Sequence, residues 1–348
     1  MRVAFDMTAA TAGDTGISVY ATELAAALEA EGVEVARFAV GRGTGAVTAP
    51  CRHLRVPLRI VHRAWQSARA PRAEHLVGPV DVVHAAGPVP PPSRRPVVAV
   101  VHDLAPLDHP ALHPGRHVRD LERTLAALPG AAAVVTVSAA TRHELVRRGV
   151  PGEKVAVTPN GLRRLPEADP ALVPDGPFVL AVGQLVPRKG LDGLLDALSR
   201  TTGVSLVVCG PDGGHGAELR AHARRLQIDD RVTFLGRVSD AHLAGLYGAA
   251  AAVVAASVDE GFGLPLLEAM AAGAPVIATD IPAFREVGGA AARYVRVGDP
   301  GALAVAIQEV TEGGATAGCR EAGRQQAAQH TWADCARATI DVYESVLR

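Results

Sequence analysis

Lysine is almost missing from this chain of 348 residues: Lys154 and Lys189 are the only two among 35 basic side chains. Such Ala- and Arg-rich usage fits a GC-rich genome, so counting arginines says little about function, while a lysine kept against that bias draws attention. Cysteine is scarce as well. Cys51, Cys209, Cys319 and Cys335 are scattered with no C-x-x-C spacing, which argues against a metal cluster or a disulfide framework and for a reduced cytosolic setting. No run of about 20 apolar residues occurs that would cross a bilayer. The start, MRVAFDM, reads as a strand and not as a charged segment leading into a long hydrophobic run, so no signal peptide is expected. A soluble, cytoplasmic protein is the reading. An excess of either charge is also absent, with Lys+Arg 35 against Asp+Glu 36, which counts against a strongly basic nucleic-acid binder. Neither G-x-G-x-x-G after the first strand nor a Walker lysine is present, which disfavours a Rossmann dehydrogenase. The histidines, His84, His109 and His113 among them, show no H-E-x-x-H spacing.

Apolar residues make up 48% of the chain, and the length suits two cores better than one. Short β-branched runs alternate with helical patterns. RVAFDM (2–7), VEVARFAV (33–40), VDVVHA (80–85), PVVAVVHD (96–103), AAVVTVS (132–138) and KVAVTPNG (154–161) read as strands of one half. FVLAVG (178–183), VSLVVCG (204–210), RVTFLG (231–236), AAVVAAS (251–257), PVIATD (275–280) and ARYVRV (292–297) repeat the grammar. Continuous apolar strands separated by helices predict parallel sheets covered on both faces. The proline-rich stretch 162–177 is the linker candidate. The expected architecture is α/β, two doubly wound Rossmann-like domains facing a central cleft, with ligands at the carboxyl ends of the strands. A last helix over 331–347 would bury Trp332, Ala336, Ile340, Tyr343 and Leu347.

Four places carry residues suited to chemistry. In DEGFGLPLLEAMAAGAPVIATD (259–280), Glu268 is the only charged residue between Gly261 and Thr279, and a charge is seldom buried without a partner. Pro265 suits the first turn of a helix. The N–H groups around Gly263, Leu264 and Leu266 would then seat anions or hydroxyl oxygens, with Glu260 and Glu268 as acceptors for a polyhydroxylated ligand. The plainer alternative is that Glu268 complements the helix dipole and Glu260 is solvated. In AVGQLVPRKG (181–190), Arg188 and Lys189 would clamp a diphosphate, or merely decorate a solvated loop. CGPDGGHGAEL (209–219) reads as a tight turn. In the first half, Gly16 in AGDTGISVY (12–20) would let the backbone approach a ligand. His102, just past a buried strand, is either a donor to a substrate hydroxyl or a satisfied structural histidine.

One absence is itself a feature. From Val35 to Ala73 no acidic residue occurs, while eight arginines do. Within the Arg-rich 52–72 segment, Leu58, Val61, Trp65 and Ala68 share one helical face and Arg59, Arg63 and Arg69 lie mostly elsewhere. Two readings follow: a peripheral membrane or anionic-acceptor patch, or an ordinary helix packing on the first sheet.

The order of these motifs resembles the retaining glycosyltransferases of family 4, with the two-domain GT-B fold. E-G-F-G-L-P-L-L-E is similar to that family's E-x7-E motif, and GQLVPRKG to its donor-phosphate motif. VTPNG, S-A-A-T-R-H-E-L (138–145) and D-I-P-A-F-R-E-V-G (280–288) fit as well. The resemblance implies residues 1–165 as an acceptor-binding domain, 166–330 as a nucleotide-sugar (donor) domain, and 331–348 as a helix crossing back to the first. It implies Glu268 on the ribose, Glu260 and His102 at the transferred sugar, and Lys189 on the diphosphate. Phe262, Gly263 and Leu264 would hold sugar hydroxyls and phosphates through their backbone, and Gly16 would lie near the diphosphate. Glu268 thus has a ligand as its expected partner in place of a side chain. Where many members carry an arginine after the motif's glycine, this chain has Gln184, and Arg188 is expected to supply the second cation. The implied reaction moves a hexosyl group from a nucleotide-diphosphate sugar to an acceptor hydroxyl with retention, without cofactor or metal; no D-x-D motif occurs. The acceptor is a small molecule, a glycan or a lipid-linked sugar, and no nucleic-acid partner is implied. The rival readings are a nucleotide-sugar 2-epimerase and a degenerate, non-catalytic binding module.

Overall fold

The computed structural model describes residues 1–11, 13, 15–43, 50–87, 89–313 and 317–348. They form two compact units. The first comprises Met1–Pro110, Pro114–Arg163 and Thr331–Arg348, the second Ala111–His113 and Arg164–His330. Ala12 and Asp14, in the stretch 12–20, lie outside the described residues.

The first unit holds seven parallel strands: β1 (Arg2–Asp6), β2 (Glu34–Val40), β3 (Cys51–Leu54), β4 (Val82–Ala85), β5 (Val97–Val101), β6 (Ala133–Thr136) and β7 (Val155–Val157). Their order is β3-β2-β1-β4-β5-β6-β7. Because both faces are covered, the strands are apolar throughout and not alternating. Ala4, Phe38, Val61 and Trp65 pack in one cluster, Ala99, Val101, Val134 and Leu145 in another. The strand absent from the sequence reading is β3. Its Cys-Arg-His-Leu is half-exposed at the sheet edge and carries no apolar run. The helix Leu58–Ser67 buries Val61 and Trp65 against this sheet, as its apolar face predicts, while Ala68 is exposed beyond its end. Its outer side presents Arg59, Arg63 and Ile60, the last 52% exposed. Among the described residues Arg52, Arg55, Arg59, Arg63 and Arg69 form no ion pair, whereas Arg37 of the same acid-free stretch is buried and bidentate to Glu29 at 2.6 and 2.7 Å.

The helix Trp332–Leu347 belongs to this unit. Thr331 caps it, accepting from Asp334 N–H at 3.0 Å. Its buried stripe is Trp332, Cys335, Ala336, Thr339, Val342 and Tyr343, rotated from the expected one: Leu347 is 45% exposed. The reason is a polar tie that fixes the rotation. The His84 imidazole bridges two hydroxyls, Tyr343 Oη at Nδ1 (2.8 Å) and Tyr20 Oη at Nε2 (3.1 Å). Gly161 is forced by the same helix start, since a Cβ there would stand 2.2 Å from Trp332 N.

The second unit holds six parallel strands, β8 (Phe178–Val182), β9 (Ser205–Cys209), β10 (Val232–Gly236), β11 (Ala252–Ala255), β12 (Val276–Thr279) and β13 (Ala292–Val295), in the order β10-β9-β8-β11-β12-β13. Leu194, Leu198, Leu206, Val254, Ile277 and Ile307 are among its core residues. The proline-rich linker candidate is largely exposed but is tied down at Asp169. Asp169 N–H donates to Ala241 O at 2.9 Å, and Gly245 approaches so closely that a Cβ would lie 2.2 Å from Asp169 O.

Candidate active site

In the second unit the sheet order reverses between β8 and β11, and in open α/β sheets ligands bind beyond the carboxyl ends of the strands at such a point. The two loops that leave these strands are held against each other by glycines. After β8, Pro187–Lys189 makes one tight turn and Gly190 follows at φ 65°. A Cβ on Gly190 would stand 2.1 Å from Ala256 O, in the loop after β11. Only glycine offers both the left-handed backbone and the close approach. Val258 N–H donates to Arg188 O at 2.8 Å across the same seam.

This contact brings Arg188, Lys189 and Glu260 together, 71 residues apart in sequence. Lys189 Nζ lies 2.5 Å from Glu260 Oε1, and Arg188 Nη1 2.9 Å from Oε2. Ser257 Oγ donates to Oε1 at 2.8 Å, and Arg188 also donates to Asp259 O at 3.1 Å. The three side chains are only 20%, 16% and 10% exposed. Burial by itself would raise the Glu260 carboxyl; the charges of Arg188 and Lys189, with their hydrogen bonds, outweigh it and hold the group well below the usual carboxylate range. A carboxylate so held is a poor proton acceptor and a durable negative charge. Beside it a small pocket is lined by Gly183, Lys189, Ser257, Glu260, Gly263 and Phe284 among others.

The Gly261–Leu264 segment follows directly. Gly263 has φ 111° and caps the helix Leu264–Ala271, and a Cβ on it would meet the Phe284 ring at 2.9 Å. Phe262 is 4% exposed, its ring edge-on to His330 at 5.7 Å. The Leu266 N–H is not available to a ligand as expected, because it donates to Gly263 O at 3.0 Å. Helix geometry leaves the opening N–H groups of Gly263 and Leu264 outside the helix's own ladder.

Glu268 has a side-chain partner that the sequence did not suggest. It is 6% exposed, and Tyr247 Oη donates to its Oε2 at 3.0 Å. Sequence offered no signal for this pair, because Tyr247 stands on another helix, Asp240–Ala249, 21 residues earlier. Ser257 was missed for a different reason: it looked like the end of an apolar strand. Gln184 lies exposed at the end of β8. Arg188 does not line the pocket, and its guanidinium is engaged with the loop after β11.

Gly16 and His102 belong to the first unit. Gly16 is the exposed first residue of the helix Gly16–Ala30, which is capped by a reciprocal Thr15–Ser18 pair. His102 follows β5, its ring edge-on to Tyr20 at 4.7 Å. Burial pushes its pKa down to about 4, so the ring is neutral at pH 7, and its Nε2 is enclosed without a hydrogen-bond partner among the described residues. Among the described residues no three His, Cys, Asp or Glu side chains are grouped to hold a metal ion, and no helix is long and apolar enough to cross a membrane.

Comparison with known proteins gives the family and the fold. Residues 167–327 match the model for glycosyl transferases group 1, and residues 15–163 that for glycosyltransferase family 4. The O-antigen chain mannosyltransferase B of Escherichia coli is 29% identical over 266 residues, covering 71% of this chain and 70% of that protein. The D-inositol 3-phosphate glycosyltransferase of Frankia alni is 33% identical over 324 residues, 78% of this chain and 80% of the relative. Other curated relatives match over about half their length, as with a phosphatidyl-myo-inositol mannosyltransferase of Mycobacterium leprae at 47%. Among solved structures, the sucrose-phosphate synthase of Thermosynechococcus elongatus has a TM-score of 0.80 at 25% identity, covering 99% of this chain and 98% of that one. Anabaena HepE, in complex with UDP and glucose, has a TM-score of 0.78 at 20% identity, covering 99% and 100%. With both family models matched along the chain and a relative one-third identical over most of its length, the protein belongs to the family 4 glycosyltransferases of GT-B fold.

Proposed function

We propose that the protein is a retaining hexosyltransferase that uses a nucleotide-diphosphate sugar as donor and an alcohol as acceptor, acting in the cytoplasm without a metal or other cofactor. The observation that carries this reading is the Lys189–Glu260 pair at the carboxyl ends of β8 and β11, in a pocket at the reversal of the sheet. An arriving diphosphate offers Lys189, which lines the pocket, a second anion. Departure of the nucleoside diphosphate builds negative charge on phosphate oxygens and positive charge at the anomeric carbon. Lys189 and the N–H groups of Gly263 and Leu264 stabilise the first; the locked Glu260 carboxylate orients the sugar and faces the second. The acceptor hydroxyl attacks from the side the leaving group vacates, a phosphate oxygen takes its proton, and configuration is retained. Glu268, held by Tyr247, accepts from the ribose.

The names of the relatives, for an O-antigen chain, a phosphatidyl-myo-inositol and a D-inositol 3-phosphate, support three classes of acceptor: a glycan, a lipid-borne head group and a small molecule. The unpaired basic side of Leu58–Ser67, with exposed Ile60 between Arg59 and Arg63, suits peripheral contact with an anionic bilayer that carries a lipid-borne acceptor. The test is calorimetric titration with UDP and GDP, followed by incubation with UDP- and GDP-hexoses in EDTA and NMR of the product. Binding of one nucleotide, transfer in EDTA and an anomer matching the donor are expected. An inverted product, or activity only with added metal, refutes the mechanism; no binding of any nucleotide refutes the donor site.

A further inference from the structure

We infer that Arg188 is the positioning residue for Glu260 and not a ligand of the leaving phosphates. This rests on the donor-site reading above, and it runs against the expectation that Arg188 stands in for the arginine missing at Gln184. Adjacent in sequence, Arg188 and Lys189 are placed in different roles by the turn Pro187–Lys189. Lys189 lines the pocket; Arg188 does not. Instead Arg188 holds the loop after β11 by both ends. Its guanidinium donates to Glu260 Oε2 (2.9 Å) and to Asp259 O (3.1 Å), and its carbonyl accepts from Val258 N–H (2.8 Å).

The geometry gives the carboxylate one cation per oxygen. Lys189 and Ser257 sit on Oε1, Arg188 on Oε2. When a diphosphate draws Lys189 away, Glu260 loses one of its two counter-charges while staying buried. Without a second cation the buried carboxylate would either keep Lys189 from the phosphate or take up a proton. Arg188, fixed by a planar guanidinium that also bonds a backbone carbonyl, leaves Glu260 ionised and aimed while Lys189 is free to change partners. The groups facing Glu260 are Arg188, Lys189, the Ser257 hydroxyl and the Asp259 side chain that accepts its N–H at 2.8 Å.

The experiment compares Arg188→Gln, Arg188→Lys and Lys189→Gln with the wild type. UDP and GDP affinities are measured by calorimetry, and kcat is measured against pH by nucleotide release from the hexose donor. Arg188→Gln is expected to leave nucleotide Kd within about threefold, to lower kcat at least tenfold, and to move the acid limb of kcat upward by at least half a pH unit. Arg188→Lys restores most of that shift, and Lys189→Gln weakens nucleotide binding at least tenfold. Loss of nucleotide affinity in Arg188→Gln equal to that in Lys189→Gln would overturn the assignment, since it makes Arg188 a phosphate ligand. So would an acid limb and kcat that do not move. Thermal unfolding of the free protein between pH 3 and 7 needs no ligand: Arg188→Gln should be less stable than the wild type at pH 7 and should lose less stability between pH 5 and 3, because its Glu260 is depressed less below the unfolded value. If neither nucleotide binds the wild type, the donor reading fails, and this last measurement still decides what Arg188 does to Glu260.

Discussion

Lowering the pH from 7 to 5 should loosen the first unit through a single buried imidazole, His84. Its side chain is fully buried, stacked on Phe5 at 4.5 Å and bonded to Tyr20 and Tyr343. Burial first, and the nearby His102 second, push its pKa down to about 3. The folded value lies below the unfolded one of about 6.5, so the unfolded chain binds the proton first. Stability is therefore complete above about pH 6.5 and falls as the pH drops towards the folded value. Between pH 7 and 5 the unfolded imidazole gains about three-quarters of a proton, and the loss integrates to about 2 kcal/mol, a sizeable part of a domain's 5–15 kcal/mol. His102 adds a loss of the same sign, its pKa being about 4. Asp6 works in the opposite direction, because burial raises its carboxyl, so a variant is needed to isolate His84. The assay is urea unfolding followed by tryptophan fluorescence. Trp65 and Trp332 are the chain's two tryptophans and both lie in the first unit, so the signal reports that unit. His84→Gln should be less stable at pH 7 and should lose about 2 kcal/mol less than the wild type on going to pH 5. Equal pH dependence in the two proteins would refute the reasoning.

Other substitutions test other parts. Lys189→Ala should lower kcat/KM by about 10²- to 10³-fold, the range for removing one stabiliser of a developing anion; near-normal turnover removes the phosphate role. Gly161→Ala places a methyl group within 2.2 Å of the Trp332 backbone and should cost about 3 kcal/mol or more in the same urea assay, at the upper end for overpacking; an unchanged midpoint contradicts the close approach. Tyr247→Phe removes a donor to a buried carboxylate and should destabilise the second unit by about 1.5–3 kcal/mol, read by calorimetry. Arg59→Ser with Arg63→Ser should reduce sedimentation with phosphatidylglycerol vesicles about 30-fold, at about 1 kcal/mol per arginine near an anionic surface; unchanged sedimentation dismisses the membrane patch.

Local pattern carried much of this protein. Twelve of the thirteen strands among the described residues stand in the sequence as apolar runs, because a strand covered on both faces must be apolar throughout. The edge strand Cys51–Leu54, open to water, has no such run and left no trace. The residue types of the site were legible too: Lys189, Arg188 and Glu260 follow strand ends, where doubly wound sheets bind ligands. What each side chain touches was not. That Arg188 turns to Glu260 while Lys189 lines the pocket depends on one turn of backbone and on Gly190 against Ala256. That Glu268 meets Tyr247, and that the last helix is rotated so that Tyr343 reaches His84, depends on helices distant in sequence. Periodicity is a property of neighbours along the chain; a buried charge or imidazole takes whichever partner the packed sheets and helices bring to it, and only the tertiary structure makes that choice.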